Sequence, residues 1–412
     1  MTRVTQIVIG FVGIGILVFG VWFLFFRAPG AVPTSTNGVT FGTGSNVSTV
    51  GTGDGGSGTN NVQTITGQVS AQKIFLVATG PIAGATLVQT LHPTTTIARY
   101  VVASNGHIFD LPLDSPGSVP RAVSNTTIPG VAHTLWTEGG QGVVLQYFDS
   151  GVLKSVHVAL PAATTTSSTP APIRIQFLPD NITSIAASPD GAQVVYLLVT
   201  AAGADGYTAK ADGTGSKKLF SLPLKELLIT WPSPNTVLAQ TKSAANVPGM
   251  VFSVGVKTGA VVPLLYASGL TAAADNTFSH VVYQKTSSAG DAHNTYVRDV
   301  VKGTDITLSF DPFPQKCVWS AANADILYCA APLQFTAGNY LDLWHMGLGS
   351  AAESILSFNV STGASDIAAL PGSKDGGVAS AIETFALSPD DHYLVFVSQG
   401  NQTLWGVRLQ QK

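Results

Sequence analysis

The strongest constraint on the fold is a pair of short apolar runs around a tight turn, which recurs along the chain. Its clearest copies are ITSIAASPDGAQVVYLLVT at residues 182–200 and ETFALSPDDHYLVFVS at residues 383–398. Both copies carry Ser-Pro-Asp between the two runs. Because Pro presets φ at a turn and Asp or Gly tolerates the remaining conformations, each copy predicts a β-hairpin. The rest of the fold is predicted from the repetition of this hairpin.

The hairpins recur at a nearly constant interval. The residues aligned at the end of each first strand are Trp136, Ala187, Trp231, Ala274, Trp319 and Leu387. Their intervals are 51, 44, 43, 45 and 68 residues by subtraction, and periods of about 40 to 50 residues are typical of propeller blades. A strand, a polar turn and another strand follow each hairpin, as at residues 252–265, which completes a four-stranded unit. An array of Ig-like sandwiches, the alternative fold, would lack this fixed unit.

A seventh unit and a closing strand complete the predicted ring. A weaker unit at residues 85–125 precedes the six aligned hairpins, and the last unit has only three strands. The run KIFLVA at residues 73–78 has no partner of its own near it in sequence. As the fourth strand of the last blade it would remove an open sheet edge. The sequence therefore predicts an all-β, seven-bladed β-propeller over residues 71–412.

The N-terminal region predicts a membrane anchor. After a short tail at residues 1–6, residues 7–26 read IVIGFVGIGILVFGVWFLFF, which is uncharged and long enough to cross a bilayer as one helix. It ends in Phe-Phe-Arg rather than in the small residues of a cleavage site, which favours an uncleaved signal-anchor. Residues 27–70 are rich in Gly, Ser and Thr and predict a flexible linker. We expect a single-pass protein of the cell membrane with its propeller on the extracytoplasmic side, although Arg3 and Arg27 nearly balance across the anchor.

Charge and motifs argue against several classes of function. The net charge is −3 and the Lys and Arg residues are scattered, so no footprint for nucleic acid is visible. The sequence has no G-x-S-x-G elbow, phosphate loop or dinucleotide fingerprint in a strand-to-helix context. The eight His residues are dispersed without metal-ligand spacing. We therefore expect no cofactor, no metal and no catalytic residues.

Two cysteines are candidates for a disulfide. Cys317 and Cys329 lie on the two strands of the predicted hairpin CVWSAANADILYC, about symmetrically around Asn323. If the turn is centred there, the two residues lie opposite each other and close enough to bridge. Outside the membrane the pair would oxidise. Two buried free thiols are the alternative, and a zinc site is not favoured because no His pair lies nearby.

The interval of 68 residues predicts an insertion at residues 330–353, between the second and third strands of the sixth blade. In a propeller this connection opens on the same face as the links between blades, where ligands usually bind. Tyr340, Trp344, His345 and Met346 give the insertion an aromatic and apolar character. Such a loop is either a binding surface, the function we assign to these four residues, or a lid packed over the channel.

Three further long connections are predicted on the same face. They lie at residues 163–172, 241–249 and 286–294, and their small polar residues indicate plain spacers. The tight Ser-Pro-Asp turns are predicted on the opposite face, which looks less suited to recognition. We expect the Trp residues of the aligned column to pack between blades rather than to bind sugars.

The repeats also resemble a known group. The SPDG hairpins, followed by turns such as FSVGVKTG at residues 252–259, resemble the PD40 repeats of TolB-like and WD40-like β-propellers over about residues 72–410. SNTTIPG at residues 124–130 and GPIAGAT at residues 80–86 are similar to segments of uncharacterised membrane-anchored propellers of small-genome bacteria. The resemblance implies a propeller at the cell envelope and supplies no activity.

These observations favour a membrane-tethered, non-catalytic scaffold whose insertion-bearing face binds an envelope protein or a glycan. The alternative is an extracytoplasmic hydrolase or lyase with its site at the propeller channel. That alternative requires carboxylates or His side chains that converge near the channel mouth. A purely structural role in an envelope assembly is a third hypothesis, which the sequence does not separate from the first.

Overall fold

The computed structural model describes residues 67, 69–91, 94–162, 173–287, 293–333, 340–349 and 351–409. The predicted tail and anchor, residues 1–26, and almost all of the predicted linker lie outside the described residues. Within the ranges given above, no helix is both long enough and apolar enough to cross a membrane.

The described chain forms seven four-stranded antiparallel sheets, which are the blades of a β-propeller. Blades one to three contain β2 (Ile82–Leu91), β3 (Thr94–Val102), β4 (Ile108–Pro112) and β5 (Arg121–Ser124); β6 (Val131–Thr137), β7 (Gly142–Asp149), β8 (Val152–Ala159) and β9 (Arg174–Phe177); and β10 (Ile182–Ala187), β11 (Gln193–Thr200), β12 (Gly203–Lys210) and β13 (Lys217–Leu222). Blades four and five contain β14 (Leu227–Ser233), β15 (Thr236–Thr241), β16 (Pro248–Gly255) and β17 (Val261–Ser268); and β18 (Thr271–Ala274), β19 (His280–Thr286), β20 (His293–Asp299) and β21 (Thr304–Thr307). Blades six and seven contain β22 (Cys317–Trp319), β23 (Ile326–Pro332), β24 (Glu353–Asn359) and β25 (Ser365–Ala369); and β26 (Ile382–Leu387), β27 (Tyr393–Ser398), β28 (Leu404–Arg408) and β1 (Ile74–Ala78). The predicted number of blades and strands per blade is confirmed.

The ring is closed by pairing of the two ends of the described chain. β1 runs antiparallel to β28, with Ile74 opposite Val407 and Leu76 opposite Trp405. The predicted closing strand is therefore confirmed. Val69, which the sequence placed in the linker, is buried against Phe75. The propeller core consequently begins two residues before the predicted boundary at residue 71.

The core lies between the blades because both faces of each sheet are covered by neighbours. In the second strand of the third blade, Val194, Val195, Tyr196 and Leu197 are consecutive and all buried. A strand buried on both faces is continuously apolar rather than alternating, and this explains the apolar run of the repeat. Trp231 packs between the third and fourth blades, as predicted for the Trp column.

The Ser-Pro-Asp turns are stabilised by their own side chains. In the third blade Ser188 Oγ donates to Asp190 Oδ1 over 2.6 Å, and the same Oδ1 accepts from the backbone N–H of Ala192. Gly191 has φ of +70°, a conformation that favours glycine. The turn of the seventh blade repeats the Ser and Asp contacts. These hydrogen bonds stabilise the turns, so the Asp residues have a structural role there.

Alternating strand direction divides the connections between two faces. The turns between first and second strands and between third and fourth strands lie on one face, here called the turn face. The connections between second and third strands and between blades lie on the other, here called the long-loop face. The predicted long connection at residues 163–172, between β8 and β9 of the second blade, lies outside the described residues. Residues 241–249 join the second strand of the fourth blade to its third strand, as predicted.

Candidate binding surface on the sixth blade

The connection between β23 and β24 contains a short helix, α1 (Tyr340–His345). The helix ends in a Schellman motif, in which Leu348 N–H donates to Leu343 O over 2.8 Å and Gly347 N–H donates to Trp344 O over 2.9 Å. Gly347 has φ of +72°, which the motif requires and glycine tolerates. The local sequence therefore fixes where the helix stops and brings Leu343 and Leu348 to the same end.

One side of α1 is packed onto the ring. Tyr340 and Leu341 are buried in a cluster with Ala245 and Phe313. The Phe313 ring stacks on Tyr340 with 5.4 Å between ring centroids and lies 5.0 Å from the Trp344 ring. Phe313 lies in the link between the fifth and sixth blades, and Ala245 lies in the fourth. The insertion thus reaches from its own blade across the fifth blade to the fourth.

Hydrogen bonds fix α1 at its other contacts with the ring. Asp342 Oδ1 accepts from the backbone N–H of Ala245 over 2.8 Å, and Ser243 Oγ lies 2.8 Å from His345 Nε2. Thr286 Oγ1, in the fifth blade, donates to Ala245 O over 2.5 Å. Burial lowers the pKa of His345 below its usual value, against the opposing charge of Asp342. His345 is therefore neutral at neutral pH and serves as a hydrogen-bonding contact to the fourth blade.

A buried ion pair lies beneath the aromatic cluster. Lys316 Nζ lies 2.8 Å from Glu353 Oε1, and Glu353 Oε2 accepts from the backbone N–H of Ile382 over 2.7 Å. The Lys316 ammonium is also 4.8 Å from the centroid of the Trp344 ring, which is a cation–π contact. Burial lowers the pKa of Lys316, although the Glu353 carboxylate opposes this shift. Burial and the Glu353 charge raise the pKa of Tyr340 to about 12, so its phenol stays protonated.

A disulfide lies next to this ion pair. Cys317, the residue after Lys316, stands opposite Cys329 in the pairing of β22 with β23. The two sulfurs are bonded, with 4.1 Å between the Cα atoms. The disulfide crosslinks β22 to β23 in the first hairpin of the sixth blade, and β23 leads into the insertion.

The outer side of α1 is apolar and exposed. Leu343, Met346 and Leu348 have exposed fractions of 40%, 61% and 67%. We call these three residues the apolar ridge. Leu348 N–H donates to Leu343 O at the helix end, and Met346 lies between these two residues in the sequence.

The structure distributes the four predicted binding residues between two environments. Met346 is on the apolar ridge; His345 as a whole is exposed, but its imidazole is bonded to Ser243 and lies against the Trp344 ring. Tyr340 is buried, and the Trp344 ring is covered by Phe313 and Lys316. Tyr340 is therefore not part of a surface, contrary to its predicted role, because the ring offers an aromatic partner on which it stacks. The insertion is a packed lid on one side and an exposed surface on the other.

Sequence reasoning missed the residues that hold the insertion in place. Phe313, Ala245 and Lys316 come from other connections, and no local pattern connects them with α1. The position of Gly347 in the sequence could have predicted that Leu348 lies beside Leu343, because glycine after a short apolar helix indicates a Schellman motif. In the part of the chain that the structure describes, no group of three or more His, Cys, Asp or Glu side chains is arranged to hold a metal ion.

Comparison with known proteins defines the class of the fold. No family model and no curated protein matches the sequence. An oligogalacturonate lyase in complex with manganese superposes with a TM-score of 0.55 at 10% identity, over 85% of this chain and 95% of that one. The propeller domain of the Trilobed protease from Pyrococcus furiosus gives 0.51 at 8% identity, over 81% and 97%. The WD40 domain of Pan2 from Neurospora crassa gives 0.50 at 9% identity, over 81% and 90%.

These similarities show the fold alone. The chain has the fold of a seven-bladed β-propeller, and no match supports the more specific TolB-like or WD40-like assignment. The Pyrococcus furiosus domain is described as having an open velcro topology. In the present chain β1 pairs with β28, so the ring is closed by strand pairing.

Proposed function

We propose that this protein is a non-catalytic scaffold, tethered to the cell membrane, which binds a partner protein on the extracytoplasmic side through the apolar ridge. The observation that carries the proposal is the mounting of α1. Its inner side is held by the stacked Tyr340, by the hydrogen bond that the Asp342 carboxylate accepts from Ala245 N–H, and by the hydrogen bond between His345 and Ser243. Its outer side exposes Leu343, Met346 and Leu348 within the part of the chain that the structure describes.

The rigidity of the mounting favours recognition. A loop that orders only on binding loses conformational entropy, and this loss reduces affinity. Here the helix is already fixed to the fourth blade and to the segment from Phe313 to Lys316 before any partner arrives. Exposed apolar side chains on a preorganised support are typical of the anchors of protein interfaces.

The chemistry of the apolar ridge favours a protein partner over a glycan. Sugar recognition uses open aromatic faces and fixed hydrogen-bonding groups. The Trp344 ring has Phe313 and Lys316 against it. The side chains that remain exposed are two leucines and a methionine, and methionine adapts its shape to varied apolar partners.

The sequence of the N-terminal region supports the location. Residues 7–26 are apolar over the length of a bilayer, and residues 27–70 have the composition of a flexible tether. A tether of this kind keeps the propeller at a high effective concentration near other membrane-bound proteins. Weak binding at the apolar ridge would then suffice to hold a complex together.

The test compares the apolar ridge with an exposed apolar residue elsewhere. The variant Leu343→Ser/Met346→Ser/Leu348→Ser removes the ridge while leaving Tyr340 and Leu341 in place. The matched control is Val301→Ser, because Val301 is exposed on the turn face. After crosslinking in membranes of the native host, quantitative mass spectrometry should show one partner protein recovered with the wild type and the control and lost with the ridge variant. Equal recovery by all three would refute the assignment of this surface.

A further inference from the structure

The helix α1 rests on residues 313–316, which we call the support segment. This segment supplies the aromatic ring that stacks on Tyr340 and the ammonium that lies against Trp344. The next residue, Cys317, begins β22 and is one half of the disulfide. Its Sγ atom lies 3.7 Å from the carbonyl oxygen of Phe313. The disulfide is therefore in direct contact with the segment that supports the candidate binding surface.

The strand β22 has few pairing contacts with its sheet. It contains only the residues Cys317–Trp319 and is the shortest of the first strands that the structure describes. It lies at the edge of the sheet and pairs with β23. One of its three residue pairs is the disulfide-bonded pair, Cys317 opposite Cys329. The covalent bond is consequently a main connection between β22, with the support segment before it, and the rest of the blade.

The two sulfur-bearing residues differ in accessibility. Cys329 is completely buried, whereas Cys317 is half-buried. Thiol–disulfide exchange proceeds by attack of a thiolate on one sulfur, and access helps to decide which sulfur is attacked. An external thiolate would therefore attack Cys317 and release Cys329 as the leaving thiolate.

We propose that this disulfide is a redox switch for α1, operated by a dithiol protein, that is, a protein with two reactive thiols. A thiolate of the dithiol protein forms a bond to Cys317 Sγ, the bond between Cys317 and Cys329 breaks, and Cys329 takes up a proton. The second thiol of the dithiol protein then attacks the mixed disulfide and releases Cys317 as a thiol. The dithiol protein is oxidised to a disulfide, so two electrons and two protons pass to this chain.

Reduction would act on α1 while the propeller stays folded. The disulfide lies within one hairpin, and the other six blades contain no cysteine. Their strand pairing therefore needs no crosslink. Once the bond is broken, only the pairing of a three-residue strand and side-chain packing hold β22. The support segment gains freedom and holds α1 less firmly.

The oxidised form is the binding form in this scheme. A surface that is already ordered binds more tightly than one that must become ordered on binding. Loosening of α1 would remove the ordered support of Leu343, Met346 and Leu348, which form the apolar ridge. This consequence for partner binding rests on the function proposed above, whereas the switch of α1 itself does not.

The first experiment measures the order of α1 without any partner. Hydrogen exchange with mass spectrometry compares the oxidised full-length protein in detergent with the protein reduced by dithiothreitol, both without denaturant. Peptides that cover residues 340–348, whose last three amides are hydrogen-bonded to residues of α1, should exchange at least about tenfold faster after reduction. Peptides that cover the turn at residues 188–192 of the third blade should be unchanged. The variant Cys317→Ala/Cys329→Ala should show fast exchange of residues 340–348 with and without dithiothreitol.

Two results of this experiment would overturn the proposal. Equal exchange of residues 340–348 in the oxidised and reduced protein would show that the disulfide does not control α1. Equal acceleration at residues 340–348 and 188–192 would show that the disulfide stabilises the whole ring and is not a local switch.

The second experiment identifies the sulfur that is attacked. A thioredoxin variant without its second active-site cysteine is the probe, because it forms the mixed disulfide and cannot resolve it. Mass spectrometry of the peptides should locate the adduct at Cys317. The absence of any adduct, or an adduct at Cys329, would contradict the proposed attack.

The third experiment separates the switch from the proposed function. The crosslinking assay with the native membranes is carried out with the oxidised and the reduced protein, and the partner protein should be recovered with the oxidised form only. Equal recovery with both forms would overturn the control of binding by the disulfide while supporting the apolar ridge as the binding surface. Faster exchange of α1 on reduction, without a partner recovered by either form, would support the switch and refute the proposed function.

Discussion

Lys316 and Glu353 form an ion pair from which water is excluded, with 2.8 Å between Lys316 Nζ and Glu353 Oε1 and side-chain exposures of 0% and 1%. The pair joins the start of the sixth blade to its third strand, and through the backbone N–H of Ile382 to the seventh blade. The Lys316 ammonium of this pair also lies against the Trp344 ring. The packing of the insertion therefore depends on a charge balance where the first and third strands of the sixth blade begin.

Breaking this pair should be costly. In Glu353→Gln the Lys316 ammonium remains buried without its counter-charge, and we expect the free energy of unfolding to fall by about 3 to 5 kcal/mol. Urea denaturation followed by Trp fluorescence measures the change. The control is Glu226→Gln, which removes an exposed partner of Lys242 and should have little effect. Similar decreases in the free energy of unfolding of both variants would show that the buried ion pair contributes no more to stability than the exposed one.

The disulfide should contribute measurably to stability. Cys317 and Cys329 are separated by 12 positions, and a crosslink that closes a loop of this length stabilises by about 3 kcal/mol in the chain-entropy treatment. Dithiothreitol should lower the denaturation midpoint of the wild type and leave that of Cys317→Ala/Cys329→Ala unchanged. Detection of two free thiols in the unfolded, untreated protein would instead show that the pair is reduced.

The turn of the seventh blade should make stability depend on acid pH. Burial raises the pKa of the Asp390 carboxyl, but hydrogen bonds from His392 and Ser388 outweigh burial and lower this pKa to about 2, from its usual value of 3.8. Between these values the unfolded state binds more protons, so stability rises with pH there. Asp390 should contribute about 2 kcal/mol to the free energy of unfolding; this contribution is fully present above pH 4 and is lost as the pH falls towards 2.

The variant Asp390→Asn tests this dependence. Its unfolding free energy should vary less steeply with pH than that of the wild type between pH 4 and pH 2. Above pH 5 the two curves should run parallel, which provides an internal control. Parallel curves over the whole range would mean that another group is responsible for the acid sensitivity.

Removal of the closing strand should open the ring. A chain that begins at Gly80 lacks β1 and leaves β28 as an unpaired edge, and exposed edges promote association. We expect it to elute as aggregates in size-exclusion chromatography and to unfold at a lower temperature. A chain that begins at Gln63 keeps β1 and Val69, and should remain monodisperse. Monodisperse behaviour of both chains would mean that strand pairing is not what closes the propeller.

The regular features of the fold were predictable because they are local. A Ser-Pro-Asp turn between apolar runs specifies a hairpin from adjacent residues, and its repetition gives the number of blades. The opposition of Cys317 and Cys329 follows from symmetry around a single turn. The pairing of residues 73–78 with the last blade was predictable because only one unit lacked a strand.

The candidate site was less predictable because distant residues build it. The burial of Tyr340 depends on Phe313, and the cover on Trp344 depends on Lys316, although each side chain alone reads as an exposed aromatic in a loop.

The pairing of Ile74 with Val407 also sets the order in which the ring can be completed. The two residues are 333 positions apart, so the strand that closes the propeller is synthesised first and its partner is synthesised last. Contacts of such long range are formed late and slowly, because a long loop must be closed first. Six blades can fold during translation, while both edges of β1 are still unpaired. The newly made protein is therefore most prone to misassembly just before β28, its last strand, is synthesised.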